Sequence, residues 1–190
     1  YNTMVWIPAI KTLYASDVLF NEAHPFTCEI TKEERAEWVR AVEDIMKMDA
    51  EVIIPGHARP GMPFDKSACE FTRDYLLATE EELERRARFD DLTGALKRDE
   101  VLARLADVGS QRRRPGDECG VLFIDVDGLK EINDTLGHAA GDGVLTTLAA
   151  RIRDCIRAGD IVARMGGDEF LVILNGIHGI ADAEAVAEKI

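Results

Sequence analysis

Two apolar runs constrain this chain more than any other feature, because each ends abruptly in acid. CGVLFIDVD, residues 119–127, reads as a buried strand that runs straight into carboxylates. Further on, DIVARM and EFLVIL, residues 160–165 and 169–174, read as two strands joined across a Gly-Gly-Asp turn. The stretch between them, GLKEINDTLGHAAGDGVLTTLAARIRDCIR, is helical in two pieces broken near residues 137–143. Strand, helices and hairpin in that order predict an α+β fold with the sheet covered by helices on one face. If the strands are neighbours, Asp125 and Asp168 converge at one edge of that sheet.

Like charges that close are unfavourable unless a cation lies between them. Oxygen donors with no adjacent His or Cys suit Mg²⁺ or Mn²⁺ rather than zinc, and Mg²⁺ usually completes its shell with substrate phosphates. Gly166 and Gly167 permit a tight turn and leave room for a ligand to approach the backbone. Lys130, one turn into the following helix, is placed to meet phosphate charge. Asp and Gly are also ordinary turn residues, and Asp125 and Asp127 would equally serve as helix-capping acids.

The motifs DDLTG, FIDVDGLKEINDTLGHAAGDGVL and RMGGDEF, in this order, closely resemble the GGDEF family of diguanylate cyclases over residues 89–190. The resemblance implies a palm-like fold of the nucleotidyl cyclase or ferredoxin-like kind, incomplete at its C-terminus. It implies an enzyme that joins two GTP into cyclic di-GMP with release of pyrophosphate. Asp125 and Asp168 would bind the metal with the Val126 carbonyl, and Asp168 would assist deprotonation of the ribose 3′-hydroxyl. Lys130 would stabilise phosphate charge, and Glu169 belongs to the catalytic motif. Asn133 and Asp142 would hydrogen-bond guanine, with His138 nearby. Two domains would have to face each other, so a homodimer is implied. RAGD, with Arg157 and Asp160, stands where the family carries its inhibitory RxxD motif and implies product inhibition by cyclic di-GMP. Two positions depart from the family pattern: Lys97 replaces Asn in LTGALKR, and Gly128-Leu129 replaces an aromatic pair.

The first part reads as two extended runs, TMVWIP and KTLYAS, the second ending at Asp17. A helix follows with Thr31 and Glu34 in capping-box spacing and an apolar stripe Trp38, Val42, Ile45, Met46. The short strand EVIIP breaks at Gly56-His57, and a long polar helix from about residue 65 to 88 is a connector with a solvated charged face. YASDVLFNEAHPF and IIPGHARPG resemble the C-terminal half of a metallo-β-lactamase-fold (αββα) hydrolase. By that resemblance Asp17 would be a bridging metal ligand and His57 the last metal histidine, with Zn²⁺ bound in the parent protein, while His24 is a loop residue. The family's HxHxDH cluster is not in this sequence, and two ligands alone do not make a catalytic zinc site. The expected organisation is residues 1–83 as a partial hydrolase-like domain, 84–88 as a helical connector and 89–190 as the GGDEF domain.

A net charge of −13 excludes a general binder of nucleic-acid polymers. The four cysteines are widely spaced, which argues for a reduced, cytoplasmic chain without a disulfide framework. No apolar run approaches the roughly 20 residues of a membrane span. Tyr1 at the start and a helix-like pattern at Ile190 predict an internal piece of a longer protein. Two other functions compete with the cyclase: an inactive regulatory module that binds GTP or cyclic di-GMP, and a zinc-dependent hydrolase regulated by its C-terminal domain.

Overall fold

The computed structural model describes residues 3–27, 29–110 and 118–190. Cys28 and the arginine run of residues 112–114 lie outside them. The chain divides into two compact units, Tyr1–Glu84 and Arg85–Ile190. Among the described residues no helix is long and apolar enough to cross a membrane. Cys69, Cys119 and Cys155 are free thiols, and burial pushes the Cys69 thiol up to about 11.

In the first unit β1 (Val5–Ile7) and β2 (Thr12–Asn21) are antiparallel, and β2 runs parallel to β3 (Val52–Ala58). Helix α1 (Lys32–Lys47) starts as the sequence indicates: Thr31 Oγ1 accepts from Glu34 N, and the Glu34 carboxylate accepts from Thr31 N at 2.7 Å. Its Val42 and Ile45 pack with Leu13, Leu19 and Ile53 of the sheet, and Trp38 and Met46 close the cluster. Helix α2 (Ser67–Arg88) is fastened to α1 by Arg35, whose Nε donates to the Glu80 carboxylate at 2.7 Å. Two sequence expectations change. Strand β2 passes Asp17 and continues to Asn21, held by the buried Thr72 hydroxyl, which donates to the Phe20 carbonyl and accepts from Phe20 N. Strand β3 runs through Gly56 and His57 instead of breaking there. Gly56 lies so close to β2 that a Cβ would sit 2.5 Å from the carbonyl carbon of Ser16.

The second unit runs β4 (Leu96–Lys97), α3 (Arg98–Ser110), β5 (Glu118–Asp125), α4 (Leu129–Leu136), α5 (His138–Cys155), β6 (Ile161–Gly166), β7 (Glu169–Ile177) and α6 (Ile180–Ala187). The sheet order is β4-β6-β7-β5, with β7 antiparallel to both neighbours and β4 parallel to β6. Central β7 explains the unbroken apolar run of its sequence. Phe170, Val172 and Leu174 face Leu145, Ala149 and Ile152 of α5 and Ala183 of α6. Leu171 and Ile173 face the opposite layer, with Val101 of α3.

Three expectations are therefore corrected. Helices cover both faces of the sheet, because both sets of alternating β7 side chains are apolar. Strand β5 lies at the sheet edge and is only half covered: Leu122 and Ile124 meet the helices, while Phe123 is 68% exposed, since among the described residues the α3 layer reaches Cys119 and no further along this strand. The helical stretch breaks at Gly137 alone, whose φ of 86° ends α4 and begins α5, and α5 passes unbroken through Gly141 and Gly143.

Phe170 is fully buried at the centre of this packing. Phe170→Ala is expected to lower unfolding free energy by about 3–5 kcal/mol through cavity formation. The check is a urea titration, in which an unchanged midpoint would show that the helix layer is not anchored there.

Candidate functional site

The β5–β7 ladder places the acids. Ile124 pairs with Phe170 and Asp125 with Glu169, so both strands reach the same rim of the sheet with carboxylates opposed. Directly paired Cα atoms lie about 4.5–5.5 Å apart. Asp168 is one residue further, in the turn, so its Cα lies within about 9 Å of that of Asp125. The register thus sets Glu169 directly across from Asp125, with Asp168 beside it at the hairpin tip.

The tip is shaped by backbone rather than by packing. Gly166 pairs with Glu169, leaving Gly167 and Asp168 as the two turn residues. Gly167 takes φ 52°, which a side chain disfavours. A Cβ at Gly166 or Gly167 would meet nothing within 4 Å, so the space above the turn is open. What holds the turn is Arg164. Its Nε and Nη2 donate to the Gly167 carbonyl at 3.0 and 2.7 Å, and its Nη1 donates to Asp90 at 3.2 Å. Asp90 in turn accepts from Thr93 N at 2.9 Å and from the Thr93 hydroxyl at 2.6 Å. The DDLTG segment is thereby tied to the residue before Asp168, a link that no spacing in the sequence announces. The legible sign was Asp90 and Thr93 in side-chain-to-backbone turn spacing.

Burial raises the Asp90 pKa, but the Thr93 hydrogen bonds and the Arg164 guanidinium outweigh it and leave the carboxyl below its ordinary value.

The other candidates fall into three places. Lys130 lies exposed in the first turn of α4, five residues after Asp125, where the first helical N–H groups also have no partner within the helix. Asn133 on α4 and Asp142 on α5 flank the Gly137 corner. Asp142 and His138 are exposed, while Asn133 Oδ1 is buried without a hydrogen-bond partner among the described residues. Neither Asn133 nor Asp142 caps a helix, since the α5 N-cap is Gly137 with no side-chain cap bond.

Arg157 and Asp160 occupy the α5–β6 turn, at the far end of β6 and so about 20 Å from the hairpin tip. Asp160 is committed to backbone: one oxygen accepts from Arg157 N and the other from Asn175 N, each at 2.9 Å. Among the described residues the Arg157 guanidinium has no hydrogen bond or ion pair.

A groove of about 670 Å³ runs along the open edge of β5 to Asp125 and Val126. It reaches neither Asp168 nor Asn133 nor Asp142, so it takes in only the Asp125–Val126 part of the candidate site. Among the described residues no three His, Cys, Asp or Glu side chains cluster to hold a metal ion. A donor set of Asp125, Asp168 and the Val126 carbonyl, as expected from the sequence, would be all oxygen and would leave coordination positions for phosphate. It suits a hard divalent cation.

In the first unit Asp17 and His57 do meet, with Oδ1 and Nε2 at 3.2 Å, each side chain about half exposed. His57 stacks on Phe20 with ring centroids 5.1 Å apart. Ser16 before the acid takes φ 48°, a strained value for a non-glycine residue. His24 packs edge-on against Tyr75 instead.

The GGDEF family model, described as diguanylate cyclase, GGDEF domain, matches residues 87–190. Diguanylate cyclase TpbB of Pseudomonas aeruginosa is 45% identical over 108 residues, covering 57% of this chain and 25% of the relative. Diguanylate cyclase A of Treponema denticola is 54% identical over 70 residues, covering 37% of this chain and 19% of the relative. The chain therefore spans a quarter or less of these curated relatives. Among solved structures, the coiled coil and GGDEF domain of DgcB from Caulobacter crescentus, in complex with c-di-GMP, superposes with a TM-score of 0.54 at 27% identity, covering 61% of each chain. The diguanylate cyclase SiaD from Pseudomonas aeruginosa, in complex with its activator SiaC, gives 0.52 at 26% identity, covering 83% of this chain and 52% of that one.

The sign of the Asp90 shift gives a prediction. A depressed folded pKa contributes stability that is full above the ordinary aspartate value of about 3.9 and is lost as pH falls through the folded value. Asp90→Asn is expected to be less stable at neutral pH and to show a shallower loss of stability on acidification below about pH 4. Urea midpoints measured from pH 7 to pH 2.5 check this, and parallel profiles for the two proteins would remove the Asp90–Arg164 link as a stabilising contact.

Proposed function

The chain belongs, over residues 87–190, to the GGDEF family of diguanylate cyclases, and from that premise we propose that the parent protein condenses two GTP into cyclic di-GMP and pyrophosphate. The observation that supports this best is the β5–β7 register, which brings the ends of two distant acidic segments to one open rim.

Asp125, Asp168 and the Val126 carbonyl would hold Mg²⁺ or Mn²⁺. Such an ion, when bound, polarises the phosphate oxygens and stabilises the pyrophosphate leaving group. The residues of the chain do the rest. Asp168 takes the proton from the ribose 3′-hydroxyl, whose oxygen bonds to the α-phosphorus of the second GTP while the α–β bridging oxygen departs with pyrophosphate. The same exchange in the opposite sense closes the ring, so two protomers must face each other and a homodimer is part of the proposal. Lys130 and the N-terminal turn of α4 offset the charge on the phosphates. Glu169, across the ladder from Asp125, completes the acidic rim. Asp142 accepts from the guanine ring N–H and exocyclic amine, Asn133 reads the adjoining part of that edge, and His138 lies beside the nucleotide.

A regulatory site fits the far end of the sheet. Asp160 fixes the turn, leaving the Arg157 guanidinium to take phosphate or a guanine edge of cyclic di-GMP.

For the first unit, the 3.2 Å pairing of Asp17 with His57 favours a second reading: this unit is the C-terminal half of a metallo-β-lactamase-fold hydrolase. Asp17 and His57 would then bind Zn²⁺ in the parent only together with ligands contributed by another segment. A cytoplasmic parent with both activities is consistent with free thiols at the described cysteines.

Full-length parent supplied with Mg²⁺ and GTP is expected to release cyclic di-GMP and pyrophosphate, and Asp168→Ala is expected to lower that rate by at least about 10³-fold. Product formation surviving in Asp168→Ala would overturn the assignment, and a wild type that binds GTP without turnover would favour the regulatory module instead. Titration calorimetry with cyclic di-GMP should show binding weakened about tenfold or more in Arg157→Ala; unchanged binding would remove the inhibitory site.

A further inference from the structure

We propose that Gly141 is the positioning residue that fixes Asn133 for base reading, and that its missing side chain sets the preference of the site for guanine. This deepens the reading of GTP as substrate and rests on it.

Asn133 and Gly141 stand four residues to either side of Gly137, where α4 folds back on α5. A Cβ on Gly141 would lie 2.1 Å from Asn133 Oδ1, 2.9 Å from its Cγ and 3.3 Å from its Nδ2. The amide oxygen therefore sits in the space a β-carbon would fill, with the rest of the amide group packed tightly against it. Gly141 is buried and lies within a helix whose backbone any residue can adopt, so neither turn geometry nor φ demands glycine there. The neighbouring Gly143 makes the contrast: a Cβ on it would meet nothing within 4 Å.

Asn133 Oδ1 is the buried side-chain oxygen that lacks a partner among the described residues. An unsatisfied buried acceptor is costly, and a donor brought by a bound base, or a turn of the amide about its soft terminal torsion toward one, removes that cost. Asp142 follows Gly141 directly and is exposed. Seating the amide against residue 141 thus sets its spacing from the carboxylate at residue 142. The exocyclic amine carries two N–H donors: the Asp142 carboxylate takes one together with the ring N–H, and the Asn133 amide oxygen takes the other, so displacing the amide weakens the distinction of guanine from hypoxanthine. A methyl group at residue 141 would push the amide away from its seat while leaving Asp142 in place. A misplacement of about 1 Å is enough to cost up to about 10²-fold in rate.

The test uses the full-length parent with GTP and ITP as alternative substrates, comparing kcat/KM in wild type, Gly141→Ala, Gly143→Ala, Asn133→Ala and the Gly141→Ala/Asn133→Ala double variant. Alanine favours helix over glycine, which offsets part of the cost of displacing the Asn133 amide, and the double variant, which removes that clash, should melt at or above the wild-type temperature. The GTP-over-ITP ratio of Gly141→Ala should fall about tenfold, to the level of Asn133→Ala, and the double variant should lose no more than Asn133→Ala alone. Gly143→Ala should keep the wild-type ratio. A wild-type ratio in Gly141→Ala, or an equal fall for both nucleotides, overturns the inference. A wild type that turns over neither nucleotide counts against the cyclase reading instead, and the same ratios taken from GTP and ITP dissociation constants by titration calorimetry then decide the role of Gly141.

Discussion

The register of β5 against β7 is the constraint on which the rest of the second unit depends. Side chains alternate strictly along a strand, so a slip of one residue would move every one of them to the opposite face. Here Phe170, Val172 and Leu174 pack on one helix layer while Leu171 and Ile173 pack on the other. Both faces of β7 are therefore committed to cores, and the pairing of Asp125 with Glu169 follows as a consequence of burial elsewhere. Apolar packing thus fixes where the acids meet. The mutual repulsion of those acids, modest at an exposed rim, is too small to displace a strand buried on both sides.

The two ends of that sheet are finished in different ways. At the acidic rim, Arg164 spends its guanidinium on the Gly167 carbonyl and on Asp90, so its charge is turned toward the turn's own backbone. That leaves Lys130 as the exposed cation at the start of α4 in the proposed site. At the opposite end the roles reverse: Asp160 is consumed by the backbone N–H groups of Arg157 and Asn175, and the guanidinium of Arg157 is what remains. One end offers carboxylates to a cation, and the other offers a cation to an anion. Segment 89–96 is closed on itself by the Asp90 N–H to the Ala95 carbonyl and by the Phe89–Leu96 bridge, and Asp90 ties it to the acidic end through Arg164.

The first unit solves a different problem with similar means. Gly56 and the irregular pairing at Ser16 let β2 and β3 approach closely enough for Asp17 and His57 to touch. The left-handed Ser16 backbone persists because both strands continue beyond it into a core fastened by Thr72. Such strain beside a polar pair is common at sites that bind something, and it is what supports reading these residues as ligands in the parent.

The sequence by itself determined the element types, most of their order and the local caps, because those rest on near-neighbour physics. The Thr31–Glu34 box, the hairpin across Gly167 and the α4–α5 break at Gly137 are all interactions within a few residues of one another. It also marked Asp125 and Asp168, since an apolar run ending in acid is visible without a partner. It erred where a neighbour in space decides: β3 continues through His57 because β2 lies against Gly56, β5 is only half covered because among the described residues no layer packs on Phe123, and α3 covers the second face because β7 presents apolar side chains there too. Only the tertiary structure paired Arg164 with Asp90, 74 residues apart, and lodged the Asn133 amide against Gly141. Contacts of that kind depend on where whole helices and strands come to rest, and that position is set by the summed burial of the core rather than by any local spacing.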